Sequence, residues 1–275
     1  MGIVCMNGQF EEEDLSPREA GLNYHFLVGI YETLRTVRGR LFNWVAHAER
    51  LKHSAEGMGF EISPGRLDMF EEFAQRVVDE NMNNDSWPKD LEARVRLQVD
   101  PEGHYYVQVL PLLETAQMAL KEGVSVVTRA RERSNPEVKA IDPDYVRWAH
   151  YEKQTSGADE ILLVNNEGNI TEGSMSNLFI VTQAGVLVTP NEGILKGTVR
   201  QRVLDLAQEF KWKIEYLALT QEDVENAREV FICSVSREAI PVVKVDETVI
   251  GEGRPGFMTL KLARELKKKR LETIL

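Results

Sequence analysis

The chain has 275 residues, of which 43% are hydrophobic and 28% are charged. This composition excludes a disordered chain, a collagen and a coiled-coil rod, and the length suffices for two ordinary domains or one large one. The formal net charge of −11 disfavours nucleic acid and anionic membranes as partners, because an acidic surface repels phosphate groups.

The first part of the chain predicts an α+β domain over residues 1–113. Alternating apolar and polar residues predict strands at 1–6, 30–37, 93–99 and 105–110. The pair Asn7-Gly8 favours a hairpin after the first strand. Apolar residues spaced by three or four predict helices from Val45 to Gly57 and from Leu67 to about Met82. Both helices are expected to pack on one face of an antiparallel sheet.

Residues 114–123 are predicted to connect this domain to a second one, over residues 124–275. Strands and helices alternate more closely in the second domain. Strands are predicted at 124–128, 160–164, 177–182 and 229–233, and helices at 143–156, 198–210 and 258–272. Together the two parts predict a mixed α/β fold, in which the first domain is of the α+β type.

Several common motifs are absent from the sequence. No G-x-G-x-x-G, Walker A, H-E-x-x-H or paired-cysteine motif occurs, so neither a phosphate loop nor a metal site is predicted. Cys5 and Cys233 are the only cysteines, and they imply no disulfide framework. The apolar runs are shorter than a membrane span, and no signal peptide is recognisable. A soluble cytoplasmic protein is expected.

Four separated segments carry the chemistry. They are GIYETLR at 29–35, HAERL at 47–51, TEGSMSNLF at 171–179 and LKGTVR at 195–200. In content and order they resemble the class IV aminotransferases, over nearly the whole chain. These are the fold-type-IV pyridoxal phosphate enzymes, which include branched-chain and D-amino-acid aminotransferases and 4-amino-4-deoxychorismate lyase. The resemblance implies two domains, the C-terminal one an α/β barrel-like domain, with pyridoxal 5′-phosphate in the cleft between them, and a homodimer.

The resemblance implies that Lys139 is the catalytic residue. A transaminase of this kind needs a lysine that bonds covalently to the cofactor aldehyde and moves the α-proton of the substrate. Lys139 lies between a predicted strand and a predicted helix, where the family has its lysine. We expect it to be partly buried and to lose its proton readily. The alternatives are that Lys139 is an exposed loop cation, or that Lys196 is the reactive lysine.

The resemblance also implies which residues hold the cofactor ring. Glu172 matches the carboxylate beside the pyridine nitrogen, where it keeps the ring protonated. Ser174, close to it, matches a hydroxyl near the ring. Taken alone, the segment 171–174 is typical of a polar turn, and the alternative for Glu172 is a solvated glutamate.

Arg50 resembles the arginine that binds the cofactor phosphate in the family. Thr198 and Val199 open a predicted helix, whose N-terminus supplies N–H donors and a favourable dipole for the same phosphate. Ser236 is a further cofactor candidate. The alternative for Arg50 is a surface arginine that pairs with Glu49 or Glu56.

Three positions depart from the usual family pattern. Val28 stands where many relatives have aspartate, and Val199 and Val235 stand where threonine is frequent. Two hydroxyls expected at the phosphate are therefore missing. Either cofactor affinity is reduced, or Thr198, Ser234 and Ser236 take over.

Tyr31 and Arg96 are the substrate-binding candidates, with Arg94 also available. Tyr31 matches an aromatic residue that lines the pocket in relatives, and the alternative for it is simple core packing. Many D-amino-acid enzymes have an arginine in the turn after the strand that contains Arg96, whereas this chain has the acidic turn 100–103. The predicted function is therefore an aminotransferase that moves an amino group from a small or medium, branched-chain-like amino acid to a 2-oxo acid such as 2-oxoglutarate. The alternatives are a D-amino-acid aminotransferase, an aminodeoxychorismate lyase and, more remotely, a non-catalytic relic of the fold.

Overall fold

The computed structural model describes residues 1–15, 25–84, 87–88, 92–112 and 116–273. The contacts divide the chain into two compact units. Met1–Leu113 and Val138–Trp148 form the first, and Glu114–Glu137 and Ala149–Thr273 form the second. The segment that contains Lys139 therefore groups with the N-terminal residues. The domain boundaries at 113 and 124 stay a prediction.

The first unit contains a six-stranded antiparallel sheet in the order β2-β1-β6-β5-β3-β4. Its strands are β1 (Gly2–Met6), β2 (Gln9–Glu13), β3 (Ile30–Val37), β4 (Arg40–Leu41), β5 (Ala93–Val99) and β6 (Tyr105–Pro111). Asn7 and Gly8 form the turn between β1 and β2, as predicted.

Two helices, α1 (Trp44–Gly57) and α2 (Pro64–Met82), cover one face of this sheet. Leu51 of α1 and Phe70 of α2 are fully buried in one core with Val95 and Leu97 of β5. Because side chains alternate along a strand, Arg94 and Arg96 lie on the opposite face of β5. The first unit therefore has one apolar face and one that is polar and basic.

The second unit is built on a nine-stranded mixed sheet in the order β12-β11-β10-β13-β14-β7-β8-β9, with β15 paired to β14. Its strands are β7 (Val124–Ala130), β8 (Glu160–Val164), β9 (Ile170–Gly173), β10 (Asn177–Val181), β11 (Leu187–Thr189), β12 (Ile214–Tyr216), β13 (Glu229–Ser234), β14 (Glu238–Val245) and β15 (Thr248–Val249). The remaining helices among the described residues are α3 (Ala116–Glu122), α4 (Pro143–Ser156), α5 (Thr198–Glu209), α6 (Gln221–Glu225) and α7 (Phe257–Glu272).

Several predicted elements need correction. Helix α2 begins at Pro64 rather than Leu67, because proline is compatible with the first helical turn. Helix α3 lies in the segment predicted as a connector. Residues 171–173 belong to the buried strand β9 rather than to a polar turn, and their polar side chains conceal the strand pattern. No described helix is long and apolar enough to cross a bilayer.

Candidate active site

Lys139 is held against the start of β3 by backbone hydrogen bonds. The N–H of Tyr31 donates to the Lys139 carbonyl at 3.0 Å, and the N–H of Ile141 donates to the Gly29 carbonyl at 2.7 Å. The Lys139 N–H donates to Ser54 Oγ of α1 at 3.1 Å. Lys139 is half-buried, so the alternative of a fully exposed loop cation is wrong.

The ring of Tyr31 lies beside two cations. Lys139 Nζ is 4.6 Å from the ring centroid, and the Arg96 guanidinium carbon is 5.0 Å from it. Tyr31 itself is only 9% exposed. The structure therefore brings the predicted catalytic lysine and both predicted substrate residues to one place, where the π-face of the ring attracts positive charge.

The same face of the sheet has an excess of positive charge. Arg35 of β3 lies directly opposite Arg94 of β5, so their side chains share a face with Arg96. Burial lowers the pKa of Arg94, and the nearby charge of Arg96 lowers it further. Within the described part of the chain Arg94 makes no hydrogen bond or ion pair. A carboxylate bound on this face would relieve the repulsion between these cations.

Arg50 on α1 is fixed by a buried carboxylate. Its Nε and Nη2 donate to the two oxygens of Glu32, each at 2.7 Å, and the side chain of Glu32 is 1% exposed. His47 Nδ1 lies 2.7 Å from Glu32 Oε2. The expected alternative, pairing of Arg50 with Glu49 or Glu56, is wrong, because Arg50 turns toward the sheet instead.

Burial opposes the charge of Glu32, but the attraction and hydrogen bonds of Arg50 and His47 outweigh it and lower the pKa of Glu32 well below its usual range. Burial lowers the pKa of His47 despite the attraction of Glu32. Sequence reasoning missed this pairing. A signal existed, since Glu32 alternates with Ile30 and Leu34 on the core face of β3, and a buried carboxylate there requires a cationic partner.

Glu172 is a buried carboxylate with three N–H donors. The Leu195 N–H donates to Oε2 at 3.0 Å, Asn177 Nδ2 donates to Oε2 at 3.3 Å, and Arg133 Nη1 donates to Oε1 at 3.0 Å. These donors favour the ionised carboxylate. Glu172 is 3% exposed, so the alternative of a solvated glutamate is wrong. Arg133 is a functional candidate that the sequence did not reveal.

The N-terminal end of α5 has no side-chain cap. Gly197 precedes the helix and makes no side-chain cap. A Cβ at this glycine would lie 2.0 Å from Asn177 Oδ1, so a larger residue would displace the Asn177 side chain. Arg200 in the same turn is 4% exposed, and its Nε has no hydrogen-bond partner among the residues that the structure describes. Such a helix N-terminus beside a buried cation favours an anion.

The remaining predicted cofactor residues also belong to the second unit. The Ser174 hydroxyl donates to Glu160 and is therefore not free to contact a cofactor ring. Ser236 lies in the turn between β13 and β14, half-buried, and neither its hydroxyl nor that of Ser234 hydrogen-bonds to another described residue. Val199 packs in an apolar cluster and Val235 packs against that cluster, so neither position supplies a hydroxyl to a ligand.

The two units thus each contain part of the predicted set. The first holds Lys139 with Tyr31 and Arg96, and Arg50 with Glu32. The second holds the site residues Glu172, Ser174, Thr198, Val199 and Ser236. The donor chemistry fits pyridoxal 5′-phosphate, which needs an amine for its aldehyde, a carboxylate for its pyridine nitrogen, and cations and N–H donors for its phosphate. The unpartnered Nε of buried Arg200 is consistent with an anionic ligand nearby.

Comparison with known proteins identifies the family. The model of the amino-transferase class IV family matches residues 29–245. The D-alanine aminotransferase of Bacillus licheniformis is 31% identical over 271 residues, which cover 93% of each chain. The branched-chain-amino-acid aminotransferase of Pseudomonas aeruginosa is 28% identical over 281 residues, covering 96% of this chain and 91% of the relative.

A solved structure shares the fold. The branched-chain aminotransferase from the thermophilic archaeon Thermoproteus uzoniensis, solved with norvaline, superposes with a TM-score of 0.80 at 25% identity. The match covers 98% of this chain and 95% of that one, and it confirms the predicted mixed α/β fold of fold type IV. The four segments, the family model and these relatives agree, and the chain therefore belongs to the class IV aminotransferases.

Proposed function

We propose that this aminotransferase uses pyridoxal 5′-phosphate to move the amino group of a small or medium, branched-chain-like amino acid to a 2-oxo acid such as 2-oxoglutarate. One observation carries the proposal: the half-buried amine of Lys139 lies at the Tyr31 ring beside Arg96. This arrangement puts a nucleophile that can transfer protons next to a cation that can bind a carboxylate.

When bound, the cofactor supplies an aldehyde for covalent bonding and a ring that accepts electrons from the substrate α-carbon. Lys139 would hold the cofactor through that aldehyde and would move the α-proton of the substrate. Glu172 would keep the pyridine nitrogen protonated through its buried carboxylate. Arg50 and the N–H groups of Thr198 and Val199 would hold the phosphate, because a guanidinium and a helix N-terminus both attract it.

Ser174 and Ser236 are the weaker cofactor contacts in this proposal. The hydroxyl of Ser174 already donates to Glu160 and its N–H to the Ile161 carbonyl, so Ser174 would contribute by shaping the turn after Glu172 rather than by a free donor. Ser236 contributes a hydroxyl in place of the missing one at Val235.

Tyr31 and Arg96 bind the substrate, Arg96 through its carboxylate and Tyr31 through its ring. The branched-chain preference is supported by the named Pseudomonas aeruginosa relative. A D-alanine preference is the second candidate, because the Bacillus licheniformis relative is a D-alanine aminotransferase. The turn after β5 argues against it, since Asp100 and Glu102 are clustered there with His104 and would repel a substrate carboxylate.

A homodimer is part of the proposal and is supported only by the family resemblance. Analytical ultracentrifugation of the purified chain tests it, and a monomer at all concentrations contradicts it. The cytoplasmic location stays a prediction.

The activity is tested with purified protein loaded with pyridoxal 5′-phosphate. Single-turnover absorbance is followed with the L and D forms of valine, leucine and alanine as donors, and glutamate formation from 2-oxoglutarate is measured. We expect turnover of the branched L-amino acids. Faster turnover of D-alanine would favour the second candidate. Pyruvate release from aminodeoxychorismate without amino transfer would contradict the proposal.

A further inference from the structure

The turn that carries Ser236 is closed by a glutamate in an unusual backbone conformation. Ser234 of β13 pairs with Glu238 of β14, and Val235–Arg237 form the loop between them. Glu238 has a φ of 55°, the left-handed region that glycine occupies most easily. A hairpin of this length favours glycine at that position. Backbone geometry alone therefore gives no reason for a long acidic side chain there.

The carboxylate of Glu238 makes contacts that explain its presence. Arg270 of α7 donates through Nε to Glu238 Oε1 at 3.0 Å and through Nη2 to Oε2 at 3.4 Å. Glu238 is 8% exposed and Arg270 is 4% exposed. Two charge-assisted hydrogen bonds between buried groups thus fix the carboxylate relative to α7.

A second helix reaches the same carboxylate. Arg202 Nη1 of α5 lies 3.9 Å from Glu238 Oε1, and Arg202 Nη2 donates to the Leu266 carbonyl of α7 at 3.0 Å. Arg202 stands one turn after Thr198, at the helix end assigned to the phosphate. Glu238 thus links the turn at Ser236 to α7 and, through Arg202, to α5.

We propose that Glu238 is a positioning residue, which through Arg270 and Arg202 fixes the Val235–Arg237 turn against the N-terminal end of α5 so that both present their donors to the cofactor phosphate. This inference rests on the proposed function. It goes beyond it by giving a role to an ion pair that would touch neither cofactor nor substrate. Because the two hydroxyls expected at positions 199 and 235 are missing, exact placement of the remaining backbone and serine donors carries more of the binding.

The test compares two ligands that differ only in the phosphate. Apoprotein is titrated with pyridoxamine 5′-phosphate and with pyridoxamine, neither of which bonds covalently to a lysine, and binding is followed by quenching of tryptophan fluorescence. The ratio of the two dissociation constants reports the phosphate contribution alone. The melting temperature of each apoprotein is measured in parallel.

The variants are Glu238→Gly, which suits the backbone but removes the carboxylate, and the double variant Glu238→Gln with Arg270→Gln, which removes both charges. Lys269→Gln is the matched control, because Lys269 pairs with Glu209 on the exposed side of the same helix. We expect the phosphate preference to fall about tenfold in both variants, the equivalent of one charge-assisted hydrogen bond, and to be unchanged in the control.

The outcomes separate the two proposals. If the wild-type protein shows no preference for the phosphorylated ligand, the proposed cofactor site is wrong. If the wild-type protein shows it but either variant that folds retains it in full, or loses affinity for both ligands equally, Glu238 has a structural role only and the inference is overturned. The two variants disturb stability for different reasons. The glycine variant relieves backbone strain but leaves Arg270 without its counter-ion, whereas the double variant removes both charges but keeps the strain. Either variant that folds therefore gives a result.

Discussion

Lys139 Nζ lies 4.6 Å from the centre of the Tyr31 ring, and the backbone N–H of Tyr31 donates to the carbonyl of the same lysine at 3.0 Å. The two residues are therefore fixed to each other through both backbone and side chain. Arg96 lies at the same ring, with its guanidinium carbon 5.0 Å from the ring centre. The position of the Lys139 amine is thus set by the strand that carries Tyr31.

The first prediction distinguishes Lys139 from Lys196. Burial and the charge of Arg200 lower the pKa of Lys196, so by proton affinity alone it is a credible rival. We expect Lys139→Ala to abolish the absorbance band at the violet edge of the visible spectrum in protein incubated with pyridoxal 5′-phosphate, and Lys196→Ala to retain it. Borohydride reduction followed by peptide mass spectrometry locates the modified lysine. A label on Lys196, or a band that survives Lys139→Ala, would refute the assignment.

The second prediction concerns stability in acid. The pKa of Glu32 is lower in the folded protein than its ordinary value of 4.5. Its stabilising contribution is therefore complete above pH 4.5 and is lost as the pH falls below that value toward the folded pKa. Glu32→Gln should reduce the free energy of unfolding at neutral pH by about 3–5 kcal/mol, because it leaves Arg50 buried without its counter-ion.

Urea unfolding between neutral pH and about pH 3 measures this effect. The difference between wild type and Glu32→Gln should shrink on acidification. Glu49→Gln, an exposed change on the same helix as Arg50, is the control and should leave the wild-type profile in place. A difference that is constant with pH would show that Glu32 is not titrating.

The third prediction separates the two arginines of β5. Arg96 lies at the Tyr31 ring. Arg94 lies two residues earlier on the same face of the strand, opposite Arg35. Arg96→Leu should raise the KM for amino donors by about tenfold or more while changing kcat less, because it removes a charged carboxylate contact. Arg38→Leu, an exposed arginine after β3, is the control and should change neither constant.

Arg94→Leu gives a second test, in which the free energy of unfolding is measured. Because Arg94 has a lowered pKa and no partner within the described chain, its removal should leave the fold at least as stable as wild type. Equal KM values for wild type and Arg96→Leu would exclude Arg96 from substrate binding.

The fourth prediction restores the missing hydroxyls. Val235 is half-buried in the turn beside Ser236, whereas Val199 is 7% exposed and packs in the apolar cluster of the second unit. Val235→Thr should tighten binding of pyridoxamine 5′-phosphate about twofold to tenfold, the worth of one hydrogen bond. Val199→Thr should lower the melting temperature, because a hydroxyl buried in an apolar cluster loses its hydrogen bonds to water. Weaker binding by Val235→Thr would contradict a phosphate at this turn.

Periodic elements were predictable from the sequence, and tertiary partnerships were not. The strand Ala93–Val99 and the helix Pro143–Ser156 have the predicted bounds, because their apolar spacing is regular and their ends carry turn or capping residues. Strand β9 was missed, since its polar side chains are buried by partners from distant parts of the chain, including Leu195 and Arg133.

The same limit applies to the site. The motif resemblance proposed Lys139, Arg50 and Glu172, yet no spacing revealed that Arg50 pairs with Glu32 across 18 positions of sequence. Glu238 was not recognised at all, because its left-handed backbone follows no hydrophobic period and its partner Arg270 lies on the last helix. Pairings of this kind depend on which faces meet after folding.

The fork between Glu32 and Arg50 bears on the proposed binding of the cofactor phosphate. Nε and Nη2 of the guanidinium are already held by the fold, so Arg50 has little rotational freedom left to lose on binding an anion. A phosphate held by Arg50 would meet a preorganised cation and would bind at a smaller entropic cost.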